Sequence, residues 1–472
     1  MDPLIDAFKS GGETMRSKRS PIEHGLVGSP DGTRRREFLA AAVASGAATL
    51  LAPYAFPRSA FAAAVRSTGV FTVGGESVGD NYDPGVSFQG WAHTWVLMNI
   101  FDRLVESYDG KQLVPGLAES WTISSDGRVY TFKLRRGVTF HDGTPFNADA
   151  VVFNYMRMID DQHPFYNKLA VFRSNLFLGV KEWRATGKYE VQMIREYRSA
   201  AQLALMSHYA AGFMSPASIK TAPNDYGRRP VGTGPFTFVE AVKGNRAVMD
   251  ANPNYWRPGQ PKVGRVVINV VADSATMTAG LLSGEIDATP FIDFQELSRF
   301  RSNSNLTVAL TPALNLGYLG INSLKPPLDK PDVRRALNYA VNRRKIVDVV
   351  FDGAADAASG YFPKASWAYA PELANYYPYD SAKAKQSLAA AGLSNGFDAD
   401  IWVQTNDFWP RIAELIQADL AAVGVKAGIN KIDAARFFSA VTEGKHYTFV
   451  SDTTPGTIDP EEMAASFFQS SS

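Results

Sequence analysis

The spacing of apolar positions changes several times along the chain. Val70-Phe71-Thr72-Val73 is a short β-branched and aromatic run closed by Gly74-Gly75, the composition of a strand running into a turn. Val129-Tyr130-Thr131-Phe132-Lys133-Leu134 alternates in polarity just after Asp126-Gly127, which predicts a half-buried strand leaving a turn. Val266–Val271 and Gly317–Ile321 are further strand-like runs. Elsewhere the period lengthens. Asn147-Ala148-Asp149 opens a helix into Val151–Met156, and helical spacing recurs over Ser274–Leu282, Pro331–Val350, Ser381–Ala391 and Pro410–Val423. In the last of these Ile412, Ala413, Leu415, Ile416, Leu420 and Val423 share a face, and Gly424 ends it as a helix C-cap. Helices and strands interleave, so the chain is read as mixed α/β.

Residues 1–62 have another texture. Arg16, Lys18 and Arg19 come first, then Arg34-Arg35-Arg36, and after Glu37 no charge appears until Arg58. The intervening stretch is rich in Ala, Gly and Ser and ends in the small residues Ser59-Ala60-Phe61-Ala62. A basic region, a mildly apolar region and an Ala-x-Ala site make a signal peptide, cleaved near Ala62. Arg35-Arg36-x-Phe38-Leu39 is similar to the twin-arginine signal of proteins exported folded. A membrane anchor is the competing reading, but Pro53 and Pro57 interrupt the stretch and its small residues gain little in lipid.

Composition narrows the function. The 472 residues are 45% apolar, enough for a large core and more than one domain. The formal net charge is +1, which argues against a nucleic-acid partner. There is no cysteine, so disulfides, thiolate catalysis and Cys-based zinc sites are excluded. His24, His93, His141, His163, His208 and His446 are scattered without metal-ligand spacing. No metal and no cofactor is expected.

Gly75-Glu76-Ser77-Val78-Gly79 matches a nucleophile elbow and follows a strand. A hydrolase needs a helix directly after that Ser, whereas Asp80-Asn81-Tyr82-Asp83-Pro84-Gly85 is turn chemistry. No enzyme activity is expected.

Several segments together resemble the dipeptide/oligopeptide-binding family of extracellular solute-binding proteins of ABC transporters. They are Leu117-Ala118-Glu119-Ser120-Trp121, continuing to Leu134-Arg135-Arg136-Gly137-Val138-Thr139-Phe140-His141-Asp142-Gly143-Thr144-Pro145-Phe146; Pro230-Val231-Gly232-Thr233-Gly234-Pro235-Phe236 with Asn252-Pro253-Asn254-Tyr255-Trp256; Gly284-Glu285-Ile286-Asp287; and Gly317–Asn322 with Val333–Val341. The order agrees as well, and the likeness runs from about Val70 to the end.

The resemblance implies a two-lobed periplasmic-binding-protein fold of the class II, cluster C type, with an extra subdomain in the first lobe. The lobes are expected at 63–312 and 313–472, the second incomplete at its C-terminal end. A small peptide-like ligand is expected between hinged lobes, with a membrane ABC permease complex as partner and a monomeric, periplasmic protein. A non-peptide solute on the same fold (metal chelate, opine, oligosaccharide) is the alternative, and a secreted serine hydrolase a remoter one. Glu76 and Ser77 are implied at the mouth of the cleft. Asp452 is implied at the place of the family's aspartate that pairs with the ligand α-amino group, although a turn-capping role competes. Trp402, Phe408 and Trp409 are candidate cleft aromatics, with burial in the core as the competing role. Where the family often carries a tryptophan-bearing strand, this chain reads Phe449-Val450-Ser451.

Overall fold

A computed structural model describes residues 69–86, 91–108, 112–170, 172, 176–290, 292–358, 360–405, 408–453 and 459–461. The signal readings at Arg35-Arg36 and Ala62 lie outside the described residues. Strands in chain order are β1 (Val70–Gly75), β2 (Val105–Glu106), β3 (Val114–Pro115), β4 (Ala118–Ile123), β5 (Val129–Leu134), β6 (Val180–Gly187), β7 (Glu190–Arg195), β8 (Phe236–Val242), β9 (Arg246–Ala251), β10 (Arg265–Val270), β11 (Leu316–Ile321), β12 (Phe397–Gln404), β13 (Val425–Ile432) and β14 (Thr448–Thr453).

They form three four-stranded sheets and one β2-β3 pair. The order β1-β10-β9-β8 is mixed, with β1 parallel to β10. The order β4-β5-β7-β6 is antiparallel throughout. In β11-β14-β12-β13, β12 is parallel to both β13 and β14, and β11 is antiparallel to β14. One apolar core gathers buried residues from Val78 to Ile268, and a second gathers residues from Leu328 to Val450. A small third cluster, with Met277, Leu281, Ile286, Phe300 and Leu306, lies between them in sequence.

The alternation in β5 places Tyr130, Phe132 and Leu134 inside, with the Phe132 ring 5.8 Å from Trp183. The helix Trp409–Ala421 buries Ile412, Ala413, Ile416 and Leu420 in the core that Ile401 and Val403 of β12 also enter. Gly424, at φ +93°, turns the chain into β13. One element differs from its pattern. The expected helix Pro331–Val350 is two helices, Pro331–Ala340 and Arg343–Phe351. Asn342 interrupts it: its side chain caps the second helix by accepting from Lys345 N, while its own N–H donates to the buried Asp419 carboxylate at 2.9 Å.

Of the segments that carry the family resemblance, Leu117–Phe146, Pro230–Phe236 and Asn252–Trp256 meet in the first core, while Ile286 joins the third cluster and Leu319, Ile321 and Val333–Val341 the second. His141 Nδ1 accepts from Gly232 N–H at 3.3 Å and its Nε2 donates to Gly234 O at 3.0 Å. Burial keeps that imidazole below its usual pKa, in keeping with a neutral ring. A Cβ at Gly232 or Gly234 would overlap the carbonyl oxygens of Ile100 or Asn99, so glycine is required where this loop crosses the end of the helix Trp91–Ile100. Just beyond that helix, Asp102 accepts from Thr233 Oγ1 at 2.9 Å, Tyr255 OH at 2.9 Å and Trp256 Nε1 at 2.8 Å. The signature region is therefore a scaffold joint.

Candidate functional site

Because β12, β13 and β14 run parallel, their carboxyl ends at Gln404, Ile432 and Thr453 share one edge of the second sheet. β11 begins at that edge, since Leu316 pairs with Thr453. The chain therefore arrives from the first half at the edge where open α/β sheets bind ligands.

Asp452 is the next-to-last residue of β14, opposite Gly317. One carboxylate oxygen, Oδ2, accepts from the side-chain amide of Asn315. The side chain is half-buried, and burial holds its carboxyl above the ordinary range despite that bond and one from its own backbone. Among the described residues, these influences include no cation. Beside it, Tyr318 is in register with Ser451, and its ring stands 5.7 Å from Phe449 at 81°. Burial pushes the phenols of Tyr318 and Tyr361 up to about 12 each.

Phe408 follows the end of β12 and meets Trp409 at 4.8 Å and Phe351 at 5.0 Å between ring centroids. Phe294, from the segment joining the two large cores, approaches Phe351 at 5.1 Å and Phe408 at 6.2 Å. The two halves thus touch through aromatic rings beside the edge. Trp409 is 8% exposed and belongs to the second core, so its area is already spent on packing. Trp402 lies two residues inside β12. Its indole N–H donates to Asp400 at 3.0 Å and its ring is 5.8 Å from His446, so its polar atom is engaged within the sheet layer.

Glu76 and Ser77 sit on the first half at the carboxyl end of β1, both partly buried. The stretch after Ser77 is irregular and pinned by Asp83, whose carboxylate takes two 2.8 Å bonds from the buried Arg157 guanidinium. Among the described residues, the next helix begins at Trp91. The strand-to-helix turn of a nucleophile elbow is therefore not built at Ser77.

The structure thus gathers Asp452, Phe408 and Trp409 at one edge, sets Trp402 deeper in the same sheet, and leaves Glu76 and Ser77 on the other half. Sequence reasoning missed Asn315, Tyr318, Tyr361 and Phe294. Tyr318 was visible only within the run Gly317–Ile321 and the family segment that contains it, and Asn315 lies before both, with nothing in the spacing to tie either to β14. Among the described residues, no group of three or more His, Asp or Glu is placed to hold a metal ion, and no helix is long and apolar enough to cross a membrane. Two surface hollows, of about 590 Å³ beside Phe153 and Lys220 and about 640 Å³ beside Arg228 and Glu240, belong to the first half and lie apart from this edge.

Residues 112–472 match the family model of bacterial extracellular solute-binding proteins, family 5 Middle. Heme-binding protein A of Haemophilus influenzae is 33% identical over 414 residues, 83% of this chain and 75% of that protein. The dipeptide-binding protein of Escherichia coli K12 is 32% identical over 412 residues, 82% of this chain and 76% of that protein. The periplasmic binding protein DppA of Helicobacter pylori, solved in complex with peptide STSA, superposes with a TM-score of 0.76 at 28% identity, covering 84% of this chain and 80% of that one.

Proposed function

This chain belongs to the bacterial extracellular solute-binding proteins of family 5, and from that premise we propose that it captures a peptide-like solute through its free ammonium group and delivers it to a membrane ABC permease. The observation that carries the reading is Asp452. A half-buried carboxylate at the carboxyl edge, with no cation among the groups that shift it, is an incomplete ion pair. A ligand ammonium completes it with a charge-assisted bond.

Two relatives of nearly equal identity are named for a heme and for a dipeptide, so likeness alone does not select the cargo. The edge itself favours a cationic group. A hydrolase reading finds no support, because Ser77 lacks the turn that would expose a nucleophile. The remaining parts of the proposal are lobes at 63–312 and 313–472, a monomer, no nucleic-acid partner, and export to the periplasm on a twin-arginine signal cleaved near Ala62.

The test is calorimetry with Ser-Thr-Ser-Ala and its N-acetyl form on the native chain and on Asp452→Asn. Removing one partner of a buried charge pair costs about 2–5 kcal/mol, roughly 30- to several-thousand-fold in affinity. The free peptide should lose at least the lower figure. The acetylated peptide should bind weakly to both proteins. Equal losses for the two peptides would reduce Asp452 to a turn cap, and no binding of either peptide to the native chain would remove the peptide class.

A further inference from the structure

We infer that Asn315 is a positioning residue of this site: it anchors one oxygen of Asp452 so that the other faces an incoming cation. The inference rests on the reading of Asp452 just given and adds a second residue and a selection rule to it. Three observations carry it. Asn315 stands immediately before β11, at the step by which the chain enters the second half. Its amide Nδ2 donates to Asp452 Oδ2 across 137 residues of sequence. The β11–β14 register, with Leu316 opposite Thr453 and Gly317 opposite Asp452, fixes both backbones, so the bond sets the carboxylate rotamer.

The chemistry of the donor matters. An amide supplies an N–H without a charge. A Lys or Arg in its place would complete the ion pair from within, and a ligand ammonium would then find a neutralised site. Asn orients the carboxylate and favours its ionised form against burial, yet leaves its charge uncompensated. The residues next to Asp452 and its partner Gly317 along the two strands keep to this rule. Tyr318 on β11 and Ser451 on β14 are neutral, and burial keeps the Tyr318 phenol protonated. The site therefore selects solutes that bring their own positive charge.

The experiment titrates the Asp452 carboxyl carbon by 13C NMR in ligand-free protein, with Asp452→Asn identifying the resonance. Asn315→Ala should raise the midpoint by at least about half a unit, because burial then acts unopposed. Asn315→Gln should restore part of the shift. Asn315→Lys should lower the midpoint below the native value while weakening Ser-Thr-Ser-Ala by tenfold or more. Opposite movements of ionisation and binding are not expected of a residue that only supports the fold. A midpoint unmoved by Asn315→Ala overturns the inference, as does Asn315→Lys binding the peptide like the native chain. If Asp452→Asn leaves peptide binding intact while the Asn315 variants still move the midpoint, the amine reading fails and the anchoring contact stands as scaffold.

Discussion

Replacing Asp102 by Asn should make the protein more stable at neutral pH and less sensitive to acid. The Asp102 carboxyl is almost fully buried, and burial raises its pKa to about 6, with the nearby Glu106 charge adding to the effect. Its Oδ2 serves Thr233 and Trp256, and its Oδ1 serves Tyr255. An Asn carbonyl in the place of Oδ2 keeps the first two bonds. The amide nitrogen in the place of Oδ1 donates to the Tyr255 oxygen, which turns from donor to acceptor. The buried charge disappears, and the one bond given up is the Tyr255 O–H donation, about 1 kcal/mol. The folded pKa lies about two units above the ordinary 3.8, so the ionised form costs about 3 kcal/mol of stability. The sign follows: the folded protein binds more protons between the two values, so native stability falls as pH rises from about 4 to 6. Urea unfolding of both proteins should show the variant's stability relative to native rising by about that figure between pH 4 and 8. Asp102→Leu is the control, because it strands three donors and should be destabilising by about 1–3 kcal/mol for each one left unmet. A difference between native and Asp102→Asn that stays flat with pH, or a native chain that gains on the variant as pH rises, would refute the reasoning.

Gly232→Ala drives a methyl group into the Ile100 carbonyl and should cost more than about 3 kcal/mol or abolish soluble expression, whereas Gly317→Ala, with open space around it, should cost under about 1 kcal/mol; comparable unfolding midpoints would contradict the close approach. Changing both Arg35 and Arg36 to Lys should hold the precursor inside the cell, and normal appearance of the variant in the periplasm would remove the twin-arginine assignment. Ser77→Ala should leave any background esterase or peptidase signal of the purified protein unchanged, and a burst of product that depends on Ser77 would reopen the hydrolase reading.

Periodicity located β5 and the helix Trp409–Ala421 well, because each buries one face and the two spacings are unambiguous. It ran two helices together at 331–350, because the apolar spacing continues across Val341-Asn342 and the break comes from a tertiary bond to Asp419, some eighty residues on. The site was less legible. Asp452 came through resemblance, and Phe408 and Trp409 through their place between a strand and a helix. The contacts that give the edge its character, Asn315 with Asp452, Tyr318 with Ser451 and Phe294 with Phe351 and Phe408, join distant segments. Local spacing carries no record of such pairings. Trp402 shows the converse: its composition suits a ligand wall, but a hydrogen bond to Asp400 engages it in the sheet.

The convergence of His141, Thr233, Tyr255 and Trp256 on one end of a first-half helix separates ancestry from cargo. The first-half residues that declare kinship are occupied with one another, and of the kinship motifs Gly317–Asn322 alone borders the candidate binding groups, with Gly317 opposite Asp452. Such a chain can exchange its solute by altering a few positions around 315, 408 and 452 while every diagnostic residue stays in place. Proteins that share the whole signature are therefore free to carry unlike molecules, and a signature match to this chain forecasts an architecture and a trade in small solutes without forecasting the goods.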